Sequence, residues 1–150
     1  MAIFHNLRSG LPFLLLVISA MVLLFNASAA LSDQKDIRLP QLFSDLKLSA
    51  SEDDAQIAEK KIWEIWVSHK VPRIELLMDR GIKLLNNNKL NKALAVFNLI
   101  IDQAPDFSEA WNKRATVYFL MGDFEKSMHD IESTLALEPR HFGALSLIHI

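Results

Sequence analysis

The residues of this sequence that could carry out acid–base chemistry are one His-Asp pair and an arginine near it. His129 and Asp130 have the residue types of a couple in which a carboxylate orients an imidazole. Neighbouring residues on a helix point to different faces, however, and we therefore interpret the pair as part of a solvated helix face. Arg114 could contact an acidic partner, although an exposed guanidinium on a buried stem explains this residue equally well.

The remaining residue types give no motif of an enzyme or of a metal site. The sequence has no His-Glu-x-x-His, no Gly-x-Ser-x-Gly and no glycine-rich phosphate loop, and its lack of cysteine excludes disulfides and thiolate ligands. We therefore expect no catalytic activity, no metal and no cofactor. The five histidines, no two of which lie one helical turn apart, are His5, His69, His129, His141 and His149.

The charge balance argues against a nucleic-acid partner. The formal net charge is −2 with histidine neutral, and it becomes −3 without the first thirty residues, whose single charge is Arg8. A surface that binds nucleic acid neutralises phosphates with clustered lysines and arginines, which a weakly acidic chain does not provide. We expect no binding of nucleic acid.

The first thirty residues have the order of a secretory signal peptide. Arg8 precedes an apolar run over residues 11–25, and the small residues of NASAA follow it. This order predicts a signal peptide over residues 1–30, cleaved after Ala29 or Ala30, and an exported protein of the periplasm. The alternative is an uncleaved membrane anchor, although the run is shorter than the about 20 apolar residues of a spanning helix. Since the chain has no cysteine, a lipid anchor is excluded.

The elements that must position any site have the periodicity of helices. Residues 31–39 are polar and without periodicity, and we interpret them as a flexible lead. Residues 40–72 predict a short helix followed by an amphipathic one. Ser49 and Glu52 have the spacing of a capping box at the start of the second helix, and Pro72 marks its end.

Beyond residue 72 the chain repeats itself with a period of 34 residues. Pro105 and Pro139 each close a helix–turn–helix unit, the first over residues 73–105 and the second over residues 106–139. The corresponding residues are Leu77, Gly81, Leu84, Ala93, Phe97 and Pro105 in the first unit and Trp111, Ala115, Tyr118, Gly122 and Pro139 in the second. In this period and pattern the sequence resembles the tetratricopeptide repeat (TPR) family, and the resemblance implies an all-α solenoid of antiparallel helix pairs.

Small residues and turn residues occur where the pattern requires close helix contacts and turns. Gly81 and Ala115 allow the two helices of a unit to approach closely, and Gly122 and the Asn86–Asn88 run predict the turns. The second unit departs from the family pattern at positions that usually hold alanine, an aromatic residue and alanine, and we expect its second helix to pack somewhat differently. These departures are Ser127, Ile131 and Thr134.

The two complete units need partners at both ends, because about three repeats are usually required to bury the apolar faces. We interpret residues 40–72 as a divergent helical cap in which Trp63 and Trp66 cover the open end of the array. Tryptophans at this spacing, and Trp111 as well, belong to a core more often than to a ligand site.

A third unit begins at residue 140 and soon stops. Phe142 and Leu145 are in phase with the earlier units, whereas His149 stands where a small residue is expected. One reading frame of a common sequencing-library transposon end also encodes the last six residues, LSLIHI. We therefore expect the natural chain to continue with more of the third unit.

The resemblance also implies a place for a ligand. In the family, the first helix of each unit lines a concave surface that binds peptides or partner helices. The positions that would face this groove are Glu75, Met78, Ile82, Leu85, Glu109, Asn112, Thr116 and Phe119. One subgroup of the family grips a C-terminal carboxylate with lysine and asparagine, but Met78 and Ile82 replace these residues and disfavour that mode. The apolar groove suits an apolar peptide or the cap helix itself, and we favour the cap helix.

The sequence thus predicts a non-catalytic adaptor or scaffold of the bacterial cell envelope that holds a protein or peptide partner. The membrane would be involved only if the N-terminal segment is retained. The alternative is an accessory repeat module of a longer envelope enzyme whose catalytic part lies outside this sequence. A catalytic motif downstream would favour the enzyme, and a further repeat would favour the adaptor.

Overall fold

Seven α-helices form the part of the chain that the structure describes. The structure is a computed structural model, and it describes residues 35–148. The helices are α1 (Leu39–Leu48), α2 (Glu52–Val67), α3 (Pro72–Asn86), α4 (Leu90–Gln103), α5 (Ser108–Leu120), α6 (Phe124–Leu137) and α7 (Phe142–Ile148). No strand occurs among the described residues, and the prediction of an all-α fold is confirmed.

Three predictions concern residues that lie outside this range. They are the signal peptide over residues 1–30, the first part of the lead at residues 31–34, and the placement of His149. Within the described range, none of the seven helices combines the length and the apolarity that crossing a bilayer requires.

Helices α1 and α2 pack against each other, and we call them the N-terminal hairpin. The predicted capping box of Ser49 and Glu52 is wrong, because Ser51 occupies the N-cap of α2. Its backbone is extended, and its hydroxyl accepts a hydrogen bond of 3.1 Å from the backbone N–H of Asp54. The Ser49 hydroxyl instead donates to the carbonyl of Leu46 at the end of α1, 2.9 Å away.

The boundary between the hairpin and the repeats also differs from the prediction. Helix α2 ends at Val67, and Pro72 is the first residue of α3 rather than the end of α2. A proline fits the first turn of a helix because the N–H that it lacks would have no partner there. Residues 68–71 form the link between the two helices.

Helices α3–α4 and α5–α6 form two helix pairs, each joined by a tight turn. Asn88 in the first turn has φ 54° and Gly122 in the second has φ 79°, and these two residues stand at the same position of the 34-residue period. The prediction of turns at these places is confirmed. The left-handed backbone explains the residue types, because glycine adopts it freely and asparagine tolerates it better than most residues.

Close approach within each pair is achieved in two ways. An added Cβ at Gly81 would lie 2.5 Å from Cε1 of Phe97, so any side chain here would force the Phe97 ring to shift. In the second pair, Ala115 and Ile131 take these positions, and both are buried. The Ser127 hydroxyl donates to the carbonyl of Ala115 at 2.9 Å, which satisfies its buried polar group across the pair.

The largest apolar core lies between α3, α4 and α5. Its fully buried members include Met78, Ala93, Phe97 and Ile100, and the turn residue Phe107 belongs to it as well. A separate cluster holds the hairpin together, and a third cluster joins α5, α6 and α7. The stacking of the helix pairs thus buries apolar surface that one pair could not bury alone.

Candidate functional site

The eight residues predicted to face the groove differ in their accessibility. Met78, Glu109 and Asn112 are buried, whereas Glu75 is exposed. The half-buried members of the set are Ile82, Leu85, Thr116 and Phe119. The structure therefore leaves Glu75 on α3 accessible, takes Met78 into the core, and makes the part near the start of α5 inaccessible.

The apolar members on α3 contribute to the core. Met78 belongs to the core between α3, α4 and α5, and Ile82 and Leu85 pack against that core. Placing a charge at Met78 would destabilise this core whether or not another segment covers the groove. Substitution of Met78 therefore cannot show whether the groove is open.

The inaccessible part lies under the N-terminal hairpin. Helix α2 packs against α5, and Nζ of Lys113 lies 4.9 Å from the centre of the Trp63 ring. The rings of His69, just after α2, and Phe107, just before α5, have their centres 5.0 Å apart. The hairpin thus covers the face of the second helix pair that was expected to line the groove.

The two tryptophans of α2 contact the start of the third unit. The Trp66 ring stacks on the His141 imidazole with centres 4.1 Å apart and planes inclined by 10°. Trp63 meets the Phe142 ring edge-on at 5.2 Å, and a Cβ added to Gly143 would lie 2.6 Å from the Trp63 ring. Trp63 and Trp66 were expected to cover the open end of the array. They cover His141 and Phe142, which follow both repeats in the chain.

A buried polar network lies beneath this stack and centres on the carboxylate of Glu109. Nε2 of His141 lies 2.9 Å from one carboxylate oxygen, and the Asn112 side chain donates to that same oxygen at 2.9 Å. Nζ of Lys113 forms an ion pair of 2.8 Å with the other oxygen. Because Glu109 and His141 are both completely buried, this network ties α5 to the turn before α7.

The network keeps Glu109 charged. Burial raises the pKa of this carboxyl, but the charge of Lys113 and the hydrogen bond and charge of His141 together outweigh burial, and the pKa is lowered from its ordinary value of 4.5. An ionised carboxylate is therefore a permanent part of the network at neutral pH.

The junction also contains polar atoms without a hydrogen-bond partner within residues 35–148. They are Nε1 of Trp66, Oγ of Ser108 and Oδ1 of Asn112. Buried polar groups are nearly always hydrogen-bonded in proteins, so three such atoms at one junction distinguish it from the apolar cores. The contact of the hairpin with α5 therefore leaves hydrogen-bonding capacity unused.

A second polar network corrects two interpretations drawn from the sequence. Asp130 does not lie on a solvated face, because it is buried and accepts two hydrogen bonds, of 2.7 and 2.8 Å, from the Arg114 guanidinium. Arg114 therefore has an acidic partner within its own chain, and it also donates to Asn98 at 2.8 Å. His129 remains exposed, with Nδ1 3.5 Å from Asp130.

The importance of His141 was not foreseen from the sequence. A signal was nevertheless present, because His141 follows the apolar residue Phe107 by one period of 34 residues. The same comparison marks Glu75 and Glu109 as equivalent, although the first is exposed and the second is buried. The period therefore identifies positions, whereas burial depends on the neighbouring elements.

The ionisable groups Glu109, Lys113 and His141 of the junction are paired with one another, and Glu109 also accepts from the Asn112 amide. No group of residues in the described part of the chain has the composition and spacing to hold a metal ion. The arrangement can position aromatic rings and recognise polar groups.

Comparison with known proteins places the chain in a family. A TPR repeat-containing protein of Rhizobium etli is 43% identical over 109 residues, which cover 73% of this chain and 53% of that relative. The chain thus spans about half the length of this relative. No family model and no solved structure matches the chain. TPR repeats are protein-interaction modules and are generally non-catalytic. Because the helix pairs, their 34-residue period and this relative agree, the chain belongs to the tetratricopeptide repeat family.

Proposed function

We propose that this protein is an exported, non-catalytic adaptor of the bacterial cell envelope that holds a protein partner. The observation that carries the proposal is the stacking of two TPR helix pairs, α3–α4 and α5–α6, in a chain whose relative is named for the same repeats. Repeats of this kind present surfaces to other proteins. The relative is named for its repeats alone, and no observation favours the alternative of an accessory enzyme module.

Export to the periplasm rests on the sequence of the first thirty residues. The basic start, the apolar run over residues 11–25 and the small residues before Leu31 are typical of a cleaved signal peptide. Mass spectrometry of the protein from osmotically released periplasm should give an N-terminus at Ala30 or Leu31. An intact N-terminus in the membrane fraction would support an anchor, and recovery from the cytoplasm would contradict export.

The accessible side of the first helices is the surface on which we expect the partner. Glu75 on α3 is exposed and Thr116 on α5 is half-buried, so a photoreactive amino acid at either position can reach a bound protein. Lys92 on α4, the second helix of its pair, is exposed and serves as the control position. We expect the full-length protein to cross-link one partner from residues 75 and 116 but not from residue 92.

The pattern of cross-links decides the proposal. A single product from residues 75 and 116, absent with the residue-92 variant, supports an adaptor that uses this face. Equal products from all three positions would indicate non-specific contact, and no product from any position in cells would contradict the adaptor role.

A further inference from the structure

We propose that the N-terminal hairpin is a displaceable intrachain ligand. The surface beneath α2 then binds an amphipathic partner helix that carries two aromatic residues three positions apart. This inference rests on the proposed function, because it names the kind of partner that the repeats accept. The template is α2 itself, whose Trp63 and Trp66 are three residues apart and occupy the surface in this structure.

The hairpin has the organisation of a unit that can leave the repeats. Its apolar cluster consists mainly of its own residues, and the buried ones are Leu39, Ile62, Ile65 and Trp66. Helix α2 packs mainly against α1, makes a much smaller contact with α5, and contacts α3, the next helix in the chain, even less. A link over residues 68–71 is therefore its main connection to the first repeat.

The surface under α2 is shaped for aromatic rings on a helix. The His141 imidazole offers a flat face for one ring, and Phe142 offers an edge-on contact for the other. Gly143 leaves the space into which the Trp63 ring fits, and Lys113 lies over that ring as a cation. The surface thus recognises a pair of aromatic side chains that lie one helical turn apart on the partner helix. Lys113 of the surface supplies a positive charge over one of these rings.

The present occupant does not use this surface completely. Oδ1 of Asn112, which belongs to α5, is buried without a hydrogen-bond partner within the described residues, and so is Nε1 of Trp66 on α2 itself. A partner helix that offers a donor to the Asn112 amide oxygen satisfies a group that α2 leaves unsatisfied, and release of α2 exposes the Trp66 indole to water. Such a helix can replace α2 even though α2 is tethered to the same chain.

The inference can be tested without knowing the natural partner. The probe is a fluorescent peptide of residues 49–71, and the receptors are the full-length protein and its W63A/W66A variant, in which α2 has lost both rings. In the wild type α2 occupies the surface, and the apparent affinity for the peptide is reduced in proportion to the fraction of chains in which the surface is free. We therefore expect the W63A/W66A variant to bind the peptide at least about tenfold more tightly than the wild type.

Two controls show that the peptide binds at the proposed surface. A peptide that carries the same W63A/W66A change should not bind either protein. Adding Gly143→Leu to the W63A/W66A receptor should abolish binding, because a side chain at residue 143 fills the space of the Trp63 ring. Glu64 lies on the exposed face of α2. A full-length receptor with Glu64→Ala should therefore bind the peptide with the affinity of the wild type.

A second measurement covers the case in which the W63A/W66A variant does not fold. A protease site placed in the link over residues 68–71 of the otherwise unchanged protein allows the hairpin to be cut from the repeats without altering either surface. The cut protein should exchange its own hairpin for the fluorescent peptide. Hydrogen exchange should then show loss of protection in α1 and α2 while α3–α6 stay protected.

Each result assigns or rejects the surface. Failure of the peptide to bind the variant and to exchange into the cut protein would show that the hairpin is a permanent part of the core. A dimer of intact chains with exchanged hairpins would assign the surface to a second copy and overturn the partner helix. Peptide binding without any cellular cross-link would support the helix-binding surface and contradict only the adaptor role. A cellular cross-link without peptide binding would support the adaptor role and contradict the helix-binding surface.

Discussion

The two helix pairs share one backbone plan but bury different chemistry. Both turns have a residue with positive φ, and the close approach of the helices occurs at equivalent positions. The first pair fills its interior with apolar side chains, whereas the second buries hydroxyls, an amide and two carboxylates. Equivalent residues are Met78 and Asn112, Ala93 and Ser127, Val96 and Asp130, and Ile100 and Thr134.

Two buried polar residues of the second pair, Asp130 and Thr134, find their hydrogen-bond partners within that pair. The Thr134 hydroxyl donates to the carbonyl of Asp130 at 2.8 Å, and the Asp130 carboxylate binds Arg114 on the facing helix. The equivalent residues of the first pair, Arg80 and Val96, cannot form such a pair, and Arg80 is exposed. The 34-residue period thus identifies equivalent positions in the two pairs, but it prescribes neither the burial of the side chain there nor its polarity.

The largest effect on stability should come from replacing Asp130 of the second pair with valine, the residue at the equivalent position of the first pair. Asp130→Val leaves the Arg114 guanidinium in a largely buried place without its carboxylate, and we expect it to lower the free energy of unfolding by about 3 kcal/mol. Urea denaturation measures the loss. The double variant Arg114→Met/Asp130→Val removes both charges and should recover most of it. A loss below about 1 kcal/mol for the single variant would show that the pair is not structurally important.

The next effect concerns the other buried carboxylate of the second pair. Glu109→Gln deprives Lys113 and His141 of a charged acceptor and should cost about 2 kcal/mol at pH 7. The equivalent Glu75→Gln, on an exposed residue, should have almost no effect. If both variants were equally stable, the difference in burial between the two helix pairs would have no energetic meaning.

The same variant predicts a dependence on pH. Because the pKa of Glu109 is lowered in the folded protein, the unfolded chain takes up the proton more readily. The charge of Glu109 therefore stabilises the fold fully above its ordinary pKa of 4.5, and this contribution is lost as the pH falls through the lower, folded pKa. The difference in stability between wild type and Glu109→Gln should shrink below pH 4.5, and a difference that grew there would contradict the direction of the shift.

A smaller effect on stability should follow from giving the helix contact of the first pair, at Gly81 and Phe97, the residues of the second pair. Gly81→Ala places a methyl group against the Phe97 ring and should cost about 1.5 kcal/mol. The double variant Gly81→Ala/Phe97→Ile reproduces the Ala115 and Ile131 combination and should be more stable than the sum of the two single changes. Strict additivity in this double-mutant cycle would show that the two positions are not coupled.

The smallest effects should occur at the turns. Gly122→Ala meets no neighbouring atom, but the left-handed backbone makes it unfavourable by about 1 kcal/mol. Asn88→Gly at the equivalent turn should change stability by only a few tenths of a kcal/mol, on the order of an ordinary surface substitution. Thermal unfolding compares the two turns, and a larger loss for Asn88→Gly would reverse the expected order.

Much of the repeat region could be predicted because its signals are local or periodic. The turns at residues 86–88 and 122, the small residues Gly81 and Ala115, and the helical periods all follow from backbone preferences that act over a few residues. Helix boundaries were less secure. Ser49 and Ser51 both precede acidic residues at the capping distance, and only the extended backbone of Ser51 decides between them.

The candidate site was less predictable because it is built from distant segments. Glu109 and His141 are 32 residues apart in sequence, and the ring that covers His141 comes from Trp66 on another element. Nothing near His141 indicates burial of its imidazole. The same is true of Asp130, whose neighbours in sequence suggest a solvated face and whose partner Arg114 lies on another helix.

The amino-acid sequence by itself determined that the chain is helical, that it repeats every 34 residues and that the residues at the turns are Asn88 and Gly122. These properties depend on interactions between residues close in the chain. Only the tertiary structure decided that the hairpin lies over α5 and that Glu109 and Asp130 are buried in polar networks. The physical reason is that the free energy of a buried charge depends on which partners the fold brings to it, and those partners come from other helices.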